Sequence, residues 1–386
     1  MNKKEIAGDQ APRKLPPRPE CGRYLGCIYF YLAEGCNLRC RHCWIQPPFE
    51  SEKKPKFPYV DLKTFRHIVD QGLELGLIAV KLTGGEPLIH PEIEKIIECI
   101  HEKDLKLNIE TNGTTLTPEL ARLIMSSKKR VALSISLDSH LAKIHEWVRG
   151  VKGSFNATLN GVKCMRDAGY RPQIIMSVMR RNSGHVEDLV KLAESIGAGS
   201  VKFNPVTPTA RGQKLHEMGE ALSVEELLEL GRFVDDDLQP RSKIRLIYAY
   251  TAAFRSVRNI KNRPNLSGCG IFRSIGVLGT GKYALCGIGE SLPEFVFGDA
   301  RTDSLKEIWN HTPLLNEIRA GLPSKLTGVC SDCVLKEGCM GSCIANNYNF
   351  YKDLFAPHRY CQTAYETGLF PKSRLKPGSR HDLNYH

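Results

Sequence analysis

The chain has 386 residues, 41% of them hydrophobic, so it can bury the core of one large domain or of two ordinary ones. It has no run of about 18 apolar residues, and its charged N-terminal segment lacks an apolar stretch. The sequence therefore predicts neither a transmembrane helix nor a secretory signal. The formal net charge of +12 indicates either acidic partners or a solvated basic surface.

The chain contains 14 cysteines, which is many for a protein without a secretory signal. In an unsecreted chain, clustered cysteines are more often metal ligands than disulfides. We therefore expect a cytoplasmic protein that binds metal through its thiolates.

Strand and helix patterns alternate along the chain after residues 1–24, whose proline-rich sequence predicts a disordered segment. The predicted strands are 27–32, 78–84, 105–113, 130–138, 172–179 and 200–206. The predicted helices are 61–76, 91–103, 117–127, 154–169, 183–197 and 223–238. Asp61 and Thr117 are the expected N-caps of the first and third helices.

Six successive strand–helix units predict an α/β fold with a parallel sheet and right-handed crossovers. The pattern fits either a partial barrel or a doubly wound sheet. In both architectures the chemistry lies at the C-terminal ends of the strands.

The composition and periodicity of the sequence change after about residue 250, where the helical pattern fades and glycine becomes frequent. Seven cysteines follow, and they predict a small, loop-rich domain stabilised by metal. We therefore predict a disordered segment (1–24), a core domain (25–240), a bridging region (241–259), a cysteine-rich domain (260–365) and a flexible basic tail (366–386).

The stretch GCNLRCRHCW (35–44) places Cys36, Cys40 and Cys43 in one loop after the first predicted strand. Three thiolates suit a soft metal. A structural zinc ion takes four protein ligands, and catalytic zinc is seldom held by three cysteines. A [4Fe–4S] cluster held by three cysteines leaves one iron open to an exogenous ligand, and the loop favours this chemistry.

The C-x-x-x-C-x-x-C loop after the first strand resembles the signature of the radical S-adenosylmethionine (radical SAM) enzymes. The resemblance covers residues 25–240 and implies a partial (β/α)6 barrel. It also implies that Cys36, Cys40 and Cys43 hold a [4Fe–4S] cluster whose open iron binds S-adenosylmethionine. In that family the cluster cleaves S-adenosylmethionine reductively to a 5′-deoxyadenosyl radical, which abstracts hydrogen from the substrate.

Further motifs resemble the family at the ends of later strands. LTGGEPL (82–88) resembles the motif that contacts the methionyl amino group, and its glycines let the backbone approach a ligand. TNG (111–113), SISLD (134–138) and HEWVRG (145–150) also resemble family segments, with roles implied at the ribose for SISLD and at the cofactor carboxylate for HEWVRG. A turn or a capping residue is the purely structural alternative. The implied cofactor-binding residues are Gly84, Gly85, Glu86, Pro87, Asn112, Ser136, Asp138 and Arg149.

The order of the seven C-terminal cysteines resembles the SPASM domain, an extension of many radical SAM enzymes, over residues 260–365. The resemblance implies two auxiliary Fe–S clusters, with zinc knuckles as the structural alternative. One cluster would be held by Cys330, Cys333, Cys339 and Cys361. The other would be held by Cys269, Cys286 and Cys343, and its fourth ligand is not evident.

The resemblance implies a radical SAM oxidoreductase whose substrate is a ribosomally made peptide or protein. Gly287 stands where the sulfatase maturases have an aspartate, which disfavours that activity. The alternatives are a tetrapyrrole-modifying radical SAM enzyme and a zinc-stabilised binding protein without catalysis. No catalytic acid or base is assigned from the sequence.

The implied partners are a peptide or small acidic substrate and an electron donor such as flavodoxin or ferredoxin. Only 35 residues precede Cys36, so we expect any leader peptide to be bound by a separate protein or by the core domain. The basic residues are scattered without interleaved aromatic residues, so nucleic-acid binding is not predicted. No membrane association is expected.

Overall fold

The computed structural model describes residues 23–50, 56–127, 129–262 and 269–384. The segment predicted to be disordered, residues 1–24, lies almost entirely outside these ranges, and so does Cys21.

A single ten-stranded sheet forms the centre of the described structure, with the order β10-β9-β8-β1-β2-β3-β4-β5-β6-β7. The strands are β1 (Cys27–Tyr31), β2 (Ala79–Thr83), β3 (Lys106–Thr111), β4 (Val131–Ser136), β5 (Gln173–Val178), β6 (Ser200–Pro205), β7 (Arg245–Tyr248), β8 (Ser274–Val277), β9 (Lys282–Ala284) and β10 (Val296–Asp299). Strand β8 and strands β1 to β7 run parallel, whereas β9 and β10 are antiparallel to their neighbours. All six predicted strands are confirmed. Because β7 and β10 are edge strands, the described sheet is open, as expected for a partial barrel.

Side chains alternate between the two faces of the parallel sheet. Phe30, Val80 and Ile109 are essentially inaccessible and belong to the main hydrophobic core. Their neighbours Lys81 and Glu110 point to the opposite face, because successive residues of a strand project to opposite sides. The buried face sets the register, since a slip by one residue would exchange the two sets of side chains.

The helices cover the apolar face of the sheet and build most of the C-terminal region. They are α1 (Leu62–Glu74), α2 (Ile93–Glu102), α3 (Pro118–Met125), α4 (Ala142–Arg149), α5 (Ser154–Asp167), α6 (Arg180–Ser183), α7 (Val186–Ser195), α8 (Arg211–Glu217), α9 (Val224–Arg232), α10 (Gln239–Arg241), α11 (Val257–Asn262), α12 (Leu305–His311), α13 (Pro313–Gly321), α14 (Val329–Asp332), α15 (Lys336–Cys339), α16 (Ile344–Tyr351), α17 (Arg359–Glu366) and α18 (Arg380–Leu383). A π-helical turn, Phe233–Leu238, joins α9 to α10. Among the described residues, none of the helices combines the length and apolarity that a membrane crossing requires.

Both predicted N-caps are confirmed. Asp61 accepts a hydrogen bond from the Thr64 amide at 2.8 Å, and the Thr117 hydroxyl accepts one from the Leu120 amide at 3.2 Å. Helix α4 was not predicted as a helix. Its buried face carries His145 and Arg149 beside Val148, and these polar residues interrupt the hydrophobic periodicity.

The bridging region, predicted over 241–259, extends the sheet rather than merely connecting two domains. Its strand β7 pairs in parallel with β6. Strand β8 pairs in parallel with β1, on the side of β1 that faces away from β2. The first strand of the cysteine-rich region is therefore part of the same sheet as the core strands.

The structure corrects the expectation of a flexible tail beginning at residue 366. Phe370 and Leu375 are 1% and 3% exposed, and Leu375 forms an antiparallel bridge with Cys333. The Lys376 amide donates a hydrogen bond to the Asp332 carbonyl at 2.9 Å. The segment is basic in composition, but the two apolar side chains anchor it by burial.

Candidate active site

The C-terminal ends of the parallel strands border one cavity of about 570 Å³. Cys36, Cys40 and Cys43 line it, and so do Cys286 and Cys343 from the C-terminal region. The structure therefore brings two of the predicted cysteine groups to one space.

The cysteine loop is held by the C-terminal end of α4. The amides of Arg39 and Arg41 donate hydrogen bonds to the carbonyls of Arg149 and Val148, both at 2.9 Å. These carbonyls lack partners within the helix, so the loop satisfies them. Gly150 ends the helix with a φ of 71°, and a Cβ at this position would lie 2.6 Å from the Arg39 carbonyl oxygen.

The three thiols of this loop form a donor set that fits a soft metal cluster. Cys36 and Cys40 are buried, Cys43 is half-buried, and all three are free thiols. Burial raises the pKa of Cys36 and Cys40, and the charges of neighbouring thiolates raise it further. Arg149 opposes this at Cys40, where its guanidinium donates to Sγ at 3.5 Å. A cationic cluster would stabilise all three thiolates at once.

The glycine pair after β2 packs directly against the cysteine loop. The Gly85 amide donates to the Ala33 carbonyl at 3.0 Å, and the Glu86 amide donates to the Gly35 carbonyl at 3.1 Å. Gly84 has a φ of 119°, and a Cβ on Gly85 would lie 1.9 Å from the Gly35 oxygen. Both glycines also line the cavity. Their lack of side chains therefore lets the backbone of the cysteine loop pack against them and lets a ligand approach them closely.

Glu86 is almost inaccessible, and its carboxylate is already occupied. Oε1 accepts hydrogen bonds from the Thr111 hydroxyl at 2.6 Å and the Leu88 amide at 3.0 Å. Oε2 accepts one from the Asn112 amide at 2.7 Å. Burial raises the pKa of Glu86, and these donors partly counter that effect. The side chain therefore clamps the ends of β2 and β3 together, while Pro87 begins a buried 3-10 turn behind it.

Asn112 links the end of β3 to the cysteine loop. Its amide nitrogen donates to the Asn37 side-chain oxygen at 2.8 Å, and the Asn37 amide nitrogen donates to the Thr114 hydroxyl at 2.9 Å. Asn112 lines the cavity, and so does Ser136 at the end of β4. The structure thus places both residues beside the cavity, and their implied contact with the cofactor stays a prediction.

Asp138, whose implied role at the ribose stays a prediction, is fully buried. Its oxygens accept hydrogen bonds from Arg149 Nε at 2.6 Å and from the Ser177 amide at 3.0 Å. Burial alone would raise the pKa of Asp138, but the Arg149 guanidinium and other neighbours hold it below its usual range. Asp138 therefore positions Arg149, which does line the cavity.

Arg211 supports the cysteine loop and was missed by sequence reasoning. Its guanidinium donates to the carbonyls of Pro47 at 2.6 Å and Cys40 at 3.4 Å, while its amide donates to the Cys43 carbonyl at 3.1 Å. It begins α8, a helix that was also not predicted. No local pattern links a residue to a loop more than 160 positions earlier in the chain.

His42, between the second and third cysteines of the loop, is a second residue that sequence reasoning missed. It lines the cavity, and burial lowers its pKa to about 4, so the imidazole is neutral at physiological pH.

Comparison with known families identifies two domains in the chain. The model of the radical SAM superfamily matches residues 30–193, and that of the SPASM iron–sulfur cluster-binding domain matches residues 269–334. The chain belongs to the radical SAM superfamily. It is a radical SAM enzyme with a SPASM domain, so a [4Fe–4S] cluster, S-adenosylmethionine and additional Fe–S clusters are its cofactors. This assignment sets aside the alternative of a non-enzymatic zinc protein.

The similar proteins include enzymes of two kinds. The AdoMet-dependent heme synthase of Methanosarcina barkeri is 29% identical over 86% of this chain and 95% of its own length. AlbA of Bacillus subtilis, an antilisterial bacteriocin subtilosin biosynthesis protein, is 27% identical over 80% of this chain and 66% of its own. The structure of Streptococcus suis SuiB bound to S-adenosylmethionine matches with a TM-score of 0.68 at 17% identity, covering 88% of this chain and 78% of SuiB. The last likeness shows the shared fold.

The SPASM cysteines of this radical SAM chain fall into two groups. The first group lines a small separate pocket and consists of Cys330, Cys333, Cys339 and Cys361. Burial raises the pKa of Cys330 to about 12, and the neighbouring thiols of the group contribute. Three buried thiols and the half-buried thiol of Cys339 around one pocket fit an Fe–S cluster.

The second group consists of Cys269, Cys286 and Cys343. Burial, and next the Cys343 thiolate, raises the pKa of both Cys269 and Cys286 to about 12. All three thiols pack against the hydrophobic core of the C-terminal region. They fit a cluster that has three cysteine ligands and faces the main cavity through Cys286 and Cys343.

We predict that Gly85→Ala destabilises the protein and lowers the iron bound by the cysteine loop. The new methyl group meets the Gly35 oxygen, and forced overpacking of this kind costs about 1–3 kcal/mol. Denaturant unfolding and iron analysis measure the two effects. Gly184→Ala is the control, because nothing lies within 4 Å of its Cβ position. Equal stability of the two variants would contradict the prediction.

We predict that Asp138→Asn lowers the free energy of unfolding by about 3–5 kcal/mol, because it leaves the buried Arg149 charge without its partner. Asp167→Asn, in an exposed pair with Arg166, should cost less than about 1 kcal/mol. The depressed pKa of Asp138 gives stability that is present above about pH 4 and is lost as the pH falls through the folded-state value. Denaturant unfolding from neutral to acidic pH tests this. The free energy of unfolding of the variant should fall less steeply at acidic pH than that of the wild type.

Proposed function

We propose that this radical SAM enzyme is a maturase that acts on a ribosomally made peptide or protein. The observation that carries the proposal is that Cys36, Cys40 and Cys43 share one cavity with Cys286 and Cys343. Its volume of about 570 Å³ lies within the usual range for ligand sites.

In this proposal each part of the cavity wall has its own task. Cys36, Cys40 and Cys43 would hold the [4Fe–4S] cluster, which, with S-adenosylmethionine bound, supplies the electron and the radical chemistry. Arg149 keeps a positive charge at the wall between Cys40 and Asp138, where it can meet the carboxylate of a bound ligand.

The remaining proposed cofactor-binding residues either line the cavity or hold its wall in position. Gly84, Gly85, Asn112 and Ser136 line the cavity and can approach the nucleoside and amino acid parts of the cofactor. Glu86 has its carboxylate oxygens engaged, so we propose that it shapes the site by holding β2 and β3 together.

We propose the auxiliary clusters at the two SPASM cysteine groups. Cys330, Cys333, Cys339 and Cys361 would hold one of them. Cys269, Cys286 and Cys343 would hold the other beside the substrate space.

Support for a peptide substrate comes from AlbA, which serves bacteriocin biosynthesis, and from SuiB, which has also been crystallised with its precursor peptide SuiA. We further propose two partners. One is a one-electron donor such as flavodoxin or ferredoxin, and the other is a separate protein that binds a leader peptide.

A tetrapyrrole is the second candidate substrate. The heme synthase of M. barkeri supports it, at an identity comparable to that of AlbA. The cavity is also lined by the arginines Arg149, Arg211 and Arg255, and their charges suit an acidic ligand.

We predict that Cys36→Ala, Cys40→Ala or Cys43→Ala abolishes reductive cleavage of S-adenosylmethionine and removes about four irons per chain. Each change removes one of the three thiolates that hold the cluster. Release of 5′-deoxyadenosine and iron content are measured under anaerobic conditions with a chemical reductant. Cys164→Ala, at a buried core cysteine in α5, should keep both properties. Undiminished 5′-deoxyadenosine release by the loop variants would refute the cluster assignment.

We predict that the reconstituted enzyme modifies a peptide encoded by a short reading frame beside its gene and leaves a propionate-bearing porphyrin unchanged. Mass spectrometry should show hydrogen loss from the peptide that depends on S-adenosylmethionine and is absent with Cys36→Ala. Conversion of the porphyrin and an unaltered peptide would instead establish the tetrapyrrole candidate.

A further inference from the structure

Two histidines and a carboxylate meet near the ends of two neighbouring strands. His140 follows β4, whereas His185 and Asp188 lie at the start of α7, which follows β5 and the short helix α6. One potential ligand atom from each of these side chains lies within 4.8 Å of those of the other two. The group is separate from the residues that line the active-site cavity. Its nitrogen and oxygen donors also differ from the thiols of the three cysteine groups.

The two imidazole rings are spaced as two ligands of one tetrahedral ion would be. Their centroids lie 5.2 Å apart, and the ring planes are inclined by 53°. With zinc–nitrogen bonds of about 2.0–2.1 Å and a tetrahedral angle between them, the centroids of two bound imidazoles lie about 5 Å apart. Packing of the two rings without metal is the alternative, and it requires no carboxylate.

One nitrogen of this group is buried without a hydrogen-bond partner. His140 Nδ1 has essentially no contact with solvent, and it forms no hydrogen bond with any described residue. A buried polar atom without a partner is costly, so its presence in a folded protein calls for an explanation. A metal ion bound by this nitrogen would supply the missing partner.

Asn182 already fixes the two histidine-bearing loops to each other. Its side-chain amide donates hydrogen bonds to the carbonyls of Asp138 at 3.0 Å and Ser177 at 2.9 Å. Its own backbone carbonyl accepts a hydrogen bond from the His185 amide at 2.9 Å. Asn182 is fully buried, so it holds the backbone two residues before His140 beside the start of α7. The ligands are therefore positioned before any metal binds.

The charges recorded around Asp188 are balanced. Lys191 lies 3.2 Å from a Glu187 oxygen and 3.8 Å from an Asp188 oxygen, and Arg241 lies 3.2 Å from Glu187. Lys191 can keep its closer partner, Glu187, while Asp188 binds a metal. The partial positive charge at the N-terminus of α7 is offset by the two carboxylates in its first turn. Attraction for a cation therefore comes from direct ligand bonds rather than from a negative surface.

We propose that His140, His185 and Asp188 form a mononuclear zinc site with water as the fourth ligand. Three protein ligands of this kind and one water complete the tetrahedral shell of zinc. Two imidazoles disfavour magnesium and calcium, which prefer oxygen ligands. The ion would join the loop after β4 to α7 and would brace the loop of Asp138, which positions Arg149. The proposal does not depend on the identity of the substrate.

Zinc titration of the cluster-loaded enzyme, followed by equilibrium dialysis and metal analysis, tests the proposal without using catalysis. The wild type should bind about one zinc ion per chain with a dissociation constant below about 1 μM. The variant His140→Ala/His185→Ala should bind zinc at least about a hundredfold more weakly, because a single protein ligand remains. Equal zinc affinity of wild type and variant would overturn the proposal, and so would a wild type without saturable binding.

The control variant His101→Ala/His311→Ala removes two histidines elsewhere. His101 also has a buried ring nitrogen without a hydrogen-bond partner, but neither residue belongs to a group of three close ligand atoms within the described part of the chain. It should bind zinc within about twofold of the wild type. Equal loss of zinc in both double variants would contradict the assignment. If His140→Ala/His185→Ala fails to fold, Asp188→Asn, at an exposed position, should still weaken zinc binding at least about tenfold.

The cysteine thiols are the competing zinc ligands. Zinc K-edge X-ray absorption of the enzyme loaded with one equivalent should show nitrogen and oxygen ligands at about 2.0–2.1 Å. Sulfur ligands at about 2.3 Å would place the zinc at a cysteine group and overturn the proposal. If S-adenosylmethionine cleavage is absent while zinc binds with nitrogen and oxygen ligands, the proposed function fails and the zinc site stands.

Discussion

The radical site depends on backbone hydrogen bonds that hold a loop without regular secondary structure. Residues 35–44 form neither helix nor extended strand, yet they must keep three thiols together. The end of α4 binds one side of the loop through Arg39 and Arg41, and the glycine turn after β2 binds the other through Gly35. Because the contacts are made by backbone, they constrain the path of the loop and leave the cysteine side chains free to bind metal.

Buried charged residues beside the same loop help to hold it in position. Glu86 and Asp138 are both inaccessible, and each has its carboxylate satisfied by protein donors. Asp138 in turn orients Arg149, whose guanidinium reaches Cys40. A buried ion pair adds little net stability, but breaking it is costly, so such a pair acts mainly to fix geometry. Residues that resemble ligand contacts in sequence can therefore be positioning residues in the structure.

The sheet determines how the two metal-binding regions meet. Strand β8 pairs with β1, so Cys269 and Cys286 stand on either side of a strand that belongs to the core sheet. This pairing brings the second SPASM group to the cavity that the cysteine loop also lines. The first group lies in its own pocket and is covered by the C-terminal segment. One continuous sheet thus brings residues of the second SPASM group beside the cysteine loop.

The sequence by itself determined the alternating parallel fold, the N-caps at Asp61 and Thr117, and the cysteine groups, because these depend on local periodicity and on short spacings. It also placed Asn112 and Ser136 correctly at strand ends. Only the tertiary structure decided that Asp138 pairs with Arg149, that Arg211 supports a loop far away in the chain, and that a basic tail is anchored by Phe370 and Leu375. Each of these depends on a partner distant in sequence, and hydrophobic periodicity carries no information about such partners.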